Sequence, residues 1–381
     1  MGHLNQCNTW LQATTKKISA ILTQEISLPS QTRVLLTAAG LTVSLAIPVY
    51  SASSQLQGES INLNQQLLSQ QPKKVELTLV SYAVTQAAYS KIIPMFAAKW
   101  KKEKNQEVTF QESYGGSGSQ TRAVIDGLEA DIVQLALEGD VEKIQQAGLI
   151  NPGWQKEAPN GAIVTRSVAI LATRPGNPKK INNWSDLAKP GVKTITANPK
   201  SSGGAKWNFL ALWGSITQTG GNEQKARQFV TQVYKGVPVL PKDARESSDV
   251  FFKQKQGDVL INYENEAILA KQKGQSDFSY KVPPVNISID APVAVVDKNV
   301  DKHKTRAVAE EFVKFLYTPE AQREFAKVGF RPVNTTVAKE TASKFPKVTK
   351  LATVKTFGGW QAIDSKFFKD GAVFDQVLSS K

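Results

Sequence analysis

The hydrophobic positions of the chain switch period repeatedly. Val75 to Val80 reads as a strand, and after Ser81-Tyr82-Ala83-Val84-Thr85 the apolar positions Ile92, Ile93, Met95, Phe96 and Trp100 return at helical spacing. A second strand, Glu107 to Phe110, runs into Ser113-Tyr114-Gly115-Gly116-Ser117-Gly118-Ser119-Gln120. This Gly/Ser turn opens a helix with Ala123, Val124 and Leu128 on one face, and Ile132 to Leu135 is a third strand. Alternation of the form βαβαβ predicts a parallel sheet with helices on both faces and ligands outside the carboxyl ends of its strands.

The alternation resumes after a break. Ser167 to Thr173 is a predicted strand, Trp184 to Leu187 a short helix, Val192 to Thr196 a strand and Ala226 to Val233 a helix. Val237 to Leu240 is another predicted strand, ending in the small-residue helix start Pro241 to Ser248, and Gly257 to Glu264 is a strand whose carboxyl end carries Tyr263. Ala291 to Val296 crosses back, before helices over Thr305 to Leu316 and Thr318 to Val328, the second with Thr318 as N-cap and Pro319 at its first position. Two α/β lobes joined by chain crossings are expected.

Between the Val192 strand and an apolar helix carrying Trp207, Leu210, Leu212 and Trp213 lies Asn198-Pro199-Lys200-Ser201-Ser202-Gly203-Gly204. Two hydroxyls and several N–H groups without intrahelical partners meet there at the positive end of a helix, which suits sulfate- or phosphate-like groups without a charged side chain. Taken alone, the same run is an ordinary capped turn. Neither Gly-rich turn carries a phosphate-loop Lys-Ser/Thr or fits Gly-x-Gly-x-x-Gly, so the nucleotide fingerprints are missing.

Composition narrows the partner. The net charge of +14 raises a nucleic-acid reading, but the lysines are interspersed with acidic residues and form no long run, so the expectation is no nucleic acid. Two histidines and one cysteine supply neither a metal ligand set nor a catalytic pair, so no metal, no cofactor and no enzyme is expected. His303, within Asp301-Lys302-His303-Lys304, reads as a solvated loop histidine.

Met1 to Arg33 is polar and weakly basic, and the apolar run Val34 to Val49 is short for a membrane span and is followed by Ser51, Ala52, Ser53 and Ser54. Residues 1–52 therefore read as an export signal, with an uncleaved anchor as the alternative, and 53–74 as a flexible linker. Cys7 precedes the apolar run, so the arrangement for a lipid anchor is absent.

Assembled in order, Gly115-Gly116-Ser117-Gly118, Gly127-Leu128-Glu129-Ala130-Asp131, Asn198 to Ala205, Gly257 to Ile261, Glu264-Asn265-Glu266-Ala267 and Phe357-Gly358-Gly359-Trp360 resemble the periplasmic sulfate-binding proteins of ABC importers. The likeness runs from about Val75 to the C-terminus. It implies a two-lobed type II "Venus flytrap", each lobe a mainly parallel sheet flanked by helices, with 75–165 and about 288–381 in one lobe and 166–287 in the other. It implies capture of sulfate, with thiosulfate or molybdate as alternatives, by a monomer that delivers it from the periplasm to the importer's membrane permease. The residues matching the family's donors are the hydroxyls of Ser117 and Ser202, the N–H groups of Ala83, Gly203, Gly204 and Ala244, and the side chain of Tyr263. Better-known members carry Asp at the place of Ala83 and Trp at that of Tyr263. A backbone donor survives the first change, while a phenol donates with a different reach in the second.

The export reading has a direct test. N-terminal sequencing of the extracytoplasmic protein should find a start between about Ser51 and Gln57; an intact Met1 or Gly2 would establish the anchor instead.

Overall fold

The structure, a computed structural model, describes residues 73–380; the expected signal segment and nearly all of the linker lie outside the described residues. The chain runs β1 (Lys73–Tyr82), α1 (Gln86–Lys104), β2 (Gln106–Gly115), α2 (Ser117–Ile125), β3 (Ile132–Gln134), α3 (Glu138–Gln146), β4 (Ile163–Ser167) and β5 (Ala169–Thr173). It continues through β6 (Thr194–Ile195), α4 (Gly203–Thr217), α5 (Glu223–Lys235), α6 (Ala244–Phe252), β7 (Val259–Tyr263), α7 (Glu264–Gln272), β8 (Ser279–Lys281) and β9 (Val285–Ile287). The last labelled elements are β10 (Ile289–Val295), α8 (Asp297–His303), α9 (Arg306–Phe315), α10 (Pro319–Lys327), β11 (Arg331–Pro332) and β12 (Lys350–Ala352).

Two lobes form around two sheets, one of six strands in the order β11-β4-β10-β3-β1-β2 and one of four in the order β6-β7-β5-β8. The chain leaves the first sheet at Val168, between β4 and β5, and re-enters it at Ser288, after β9 has paired with β12. Both sheets are more mixed than the mainly parallel arrangement expected. The β1–β2, β1–β3 and β6–β7 pairs are parallel, but the crossing strands return in the opposite sense, so β10 lies antiparallel to β3 and β4, and β5 antiparallel to β7 and β8.

Packing follows the predicted faces. On α1, Tyr89, Ile92, Phe96 and Trp100 fall at helical spacing and are buried. Phe96 meets Phe312 of α9 with ring centroids 5.0 Å apart. Helix α4 is buried from Gly203 to Ser215, which requires the all-round apolar sequence it has. Its outer face is covered by the chain end, where Phe367, Phe368 and Phe374 surround Phe209. Where the sequence reading groups 288–381 with the first lobe, this packing sets 360–379 on α4 and α5.

Two local expectations change. Val237 to Leu240 forms no strand: Pro238 has no N–H to give a ladder, and the segment is held alongside β6 at its ends, where Thr194 N–H donates to Gly236 O and Asn198 N–H to Pro241 O. His303 is not a free loop residue, although its side chain is 25% exposed. It ends α8 with its ring nitrogens each 2.9 Å from a carboxylate, Nδ1 at Asp131 and Nε2 at Glu129, while the Thr305 hydroxyl donates to Asp131 at 2.6 Å. Asp131 also accepts the Thr78 N–H of β1, so the cluster fastens α8 to the first sheet.

The hydrogen bonds with Glu129 and then Asp131 raise the His303 pKa above its ordinary 6.5. Because the folded value is the higher, the stabilisation is complete below about pH 6.5 and is lost as pH rises through the folded value. The melting-temperature gap between the parent and His303→Gln should therefore be widest near about pH 5.5 and narrow towards about pH 8.5. A gap that stays constant across thermal scans in that range would show that the imidazolium does not contribute.

Candidate functional site

The sequence-selected residues Ala83, Ser117, Ser202, Gly203, Gly204, Ala244 and Tyr263 all line one tight cavity with about 10 Å³ of free space. It lies at the carboxyl ends of β1, β2 and β7, where the topology predicts a ligand. Tyr82, Val84, Gly115, Gly116, Ala136 and Asp243 complete the wall, and no Lys or Arg is among the described residues that line it.

The chemistry of the wall is that of helix beginnings. Ser117, Gly203 and Ala244 are the first residues of α2, α4 and α6, and Ala83 opens a single 3₁₀ turn. Their N–H groups precede the first intrahelical acceptor, so each is a donor with positive helix-end potential behind it. Ser202 caps α4 by accepting the Ala205 N–H on Oγ at 3.3 Å, which leaves its own proton to donate elsewhere. Asp243 likewise caps α6, accepting the Glu246 N–H at 2.9 Å.

Ser117 is engaged differently. Its hydroxyl donates to Asp140 Oδ2 at 2.6 Å and accepts the Ala136 N–H at 3.0 Å. A hydroxyl has one proton, so in this arrangement the Ser117 side chain presents a lone pair, and the donor it retains is its N–H at the start of α2.

Tyr263 is the unpartnered group. It is 2 % exposed, and its Oη finds no hydrogen-bond partner within the protein. The ring packs against Gly204, with Oη 3.0 Å from where a Cβ on that residue would stand. Burial, reinforced by Tyr82, Asp140 and Glu266, drives its pKa well above the ordinary phenol value, so it stays protonated and able to donate.

Side chains behind the cavity hold these groups. Asn262 of β7 donates to Ala244 O at 2.8 Å and to Ser248 Oγ at 3.0 Å, pinning the first turns of α6 to the sheet. Asn208 does the same for α4, donating to Thr196 Oγ1 and Ile261 O. Glu264 and Glu266, flanking Asn265 just beyond Tyr263, are buried and paired, the first with Arg331 at 2.7 and 3.1 Å, the second with Arg245 at 2.8 Å. Burial raises the pKa of both carboxyls against the pull of their arginines. Arg245 is thus a supporting residue.

The lobes meet at backbone distance. A Cβ on Gly116 would stand 2.5 Å from Ser201 O, so only glycine permits this approach. Ser119 N–H donates to the same carbonyl at 3.3 Å, and the Trp207 indole donates across the cleft to Ala136 O at 2.9 Å. Sequence reasoning did not find Tyr82, Asp140 or Asn262. Asp140 carries no local sign of its role, since an acid in a first helical turn is ordinary and its partner lies 23 residues earlier.

Known proteins share this architecture. The pattern of the family described as bacterial extracellular solute-binding protein matches residues 77–331. The sulfate-binding protein of Synechococcus elongatus is 62% identical over 304 residues, covering 80% of this chain and 86% of that one. The thiosulfate-binding protein of Pseudomonas aeruginosa is 39% identical over 302 residues, covering 79% and 91%. Among solved structures, the sulfate-binding protein SubI from Mycobacterium tuberculosis H37Rv matches with a TM-score of 0.72 and 38% identity, covering 77% of this chain and all of that one. On a match of this extent, the chain belongs to the bacterial extracellular solute-binding protein family.

Proposed function

We propose that the protein captures sulfate between its lobes in the periplasm and delivers it, as a monomer and without catalysis, to the membrane permease of an ABC importer. The observation that carries this reading is the convergence of helix-start N–H donors and one buried, unpartnered phenol on a cavity with no cationic side chain in its wall. A dianion buried there without partners would cost many kcal/mol. Charge-assisted hydrogen bonds, each worth about 1.5–3 kcal/mol net, together with the helix ends, offset that cost. Sulfate near neutral pH offers only acceptors, which matches backbone N–H groups that can only donate. Its small tetrahedron also suits the confined cavity better than thiosulfate, which replaces one S–O bond by a longer S–S bond. The greater identity to a sulfate-binding than to a thiosulfate-binding relative supports the same choice. The lobes are divided at the crossings near 165–168 and 287–288, which leaves donors on both sides: Ala83 and Ser117 on one, Ser202, Gly203, Gly204, Ala244 and Tyr263 on the other.

Two variants test the side-chain donors. Ser202→Ala removes a hydroxyl donor and should cost about 1.5–3 kcal/mol of sulfate affinity, roughly tenfold to a hundredfold, in calorimetric titration. Tyr263→Phe should weaken sulfate by a similar factor yet leave the ligand-free melting temperature level or higher, because the lost hydroxyl has no partner in the protein. Undiminished sulfate affinity in both would remove these residues from the site.

Because the donors come from both lobes, sulfate should favour the closed form. At a hundredfold excess over the dissociation constant, linkage gives about 2.7 kcal/mol of stabilisation, visible as a raised melting temperature, with a smaller radius of gyration in small-angle scattering. Saturating sulfate that moved neither quantity would exclude a sulfate trap.

A further inference from the structure

The Phe357-Gly358-Gly359-Trp360 run takes no part in the cavity, although Trp360 touches both lobes. On one side its ring meets that of Trp207 of α4 edge-on, with centroids 4.8 Å apart. On the other it lies against Gly139 of α3, where a Cβ would stand 3.0 Å from Trp360 Cβ and 3.1 Å from its Cγ. One turn later, Asp364 is shared in the same way: Oδ1 is 3.2 Å from Lys206 of α4 and 3.3 Å from Lys143 of α3. Lys206 is nearly buried, whereas Lys143 reaches over from the other lobe and is about two-fifths exposed.

The strap carrying these residues is anchored to only one lobe. Phe367, Phe368 and Phe374 hold it on α4 and α5, and Lys200 of the cradle loop reaches Asp370 at 3.1 Å and Asp375 at 2.9 Å. With the strap held on α4 and α5, parting of the lobes would leave Trp360 on Trp207 and Asp364 on Lys206 and would break the contacts with Gly139 and Lys143.

We propose that Trp360 and Asp364 form a latch outside the cavity that engages Gly139 and Lys143 on closure and sets how fast a bound anion leaves. The proposal rests on the receptor reading above. The latch adds nothing to the anion's own hydrogen bonds. It stabilises the closed form and so acts on the release rate, the step through which most affinity differences between related complexes arise. Its ionic half is partly exposed, so salt weakens it.

The test uses the full chain, with sulfate and, in parallel, thiosulfate as probes. Calorimetry on the parent protein comes first, followed by stopped-flow release rates read from tryptophan emission. Lys143→Ala should speed release about threefold at low salt, and high salt should bring the parent to the rate of the variant. Gly139→Ala should speed release by about tenfold or more, because the new methyl forces Trp360 away in the closed form alone. In an open molecule the same change favours helix α3, so the ligand-free melting temperature should hold or rise. A residue that merely supported the fold would lower that temperature and leave the rate unchanged. Since the latch lies outside the cavity, both anions should be released faster by the same factor. A parent that binds neither anion defeats the receptor reading and the latch with it. Binding with unaltered release in both variants, or acceleration of one anion alone, defeats the latch only.

Discussion

An anion taken out of water must recover from the protein nearly all the hydrogen bonds it gives up, and no cationic side chain lines this wall to offset its charge. Main-chain donors cannot be supplied by side-chain choice; they have to be delivered by where helices begin. That requirement dictates much of the architecture. Helices α2, α4 and α6 each start at the rim of a sheet, and each start is fixed by a polar side chain. Asn262 and Asn208 tie two of those starts to β6 and β7, and Asp140 holds the third through Ser117. Glu264 and Glu266, just beyond Tyr263 in the chain, are paired with Arg331 and Arg245. Neutral donors in a low-dielectric pocket thus remain oriented whether or not an anion is present.

The donor-bearing turns were legible in the sequence because they are local. A strand ending in small residues, a Ser at the N-cap and a following apolar helix are each readable within a dozen positions, and the structure brings Ser117, Ser202 and Ala244 to one cavity. What was not legible depends on distant partners. Nothing near Ser117 announces that Asp140 accepts its hydroxyl's hydrogen bond, and the lysines beside His303 conceal two carboxylates that arrive from the turn before β3. Val237 to Leu240 has a strand's apolar pattern, yet Pro238 removes the hydrogen bond such a pattern assumes. The strap failed a different test: its aromatics signal burial but not the surface they are buried on, and α4, apolar all round, offers a second face that the order of elements does not reveal.

Contact between the lobes runs from the cavity to the crossings. It includes the Trp207 and Ser119 hydrogen bonds, the Tyr82–Tyr263 ring contact at 6.1 Å, the strap's two bridges and the pairing of buried Glu264 with Arg331, and apolar side chains of both sheets belong to one buried cluster. Beside that shared cluster each sheet has a smaller one of its own.

Trp207 adds a property of another kind. Its indole is fully buried, and its N–H donates to a carbonyl belonging to the opposite lobe. Separating the lobes would exchange that carbonyl for water, and an indole's emission responds to the dipoles around it. The molecule would thus carry its own optical gauge of closure, one that needs no attached dye and reports from the helix whose first residues line the cavity.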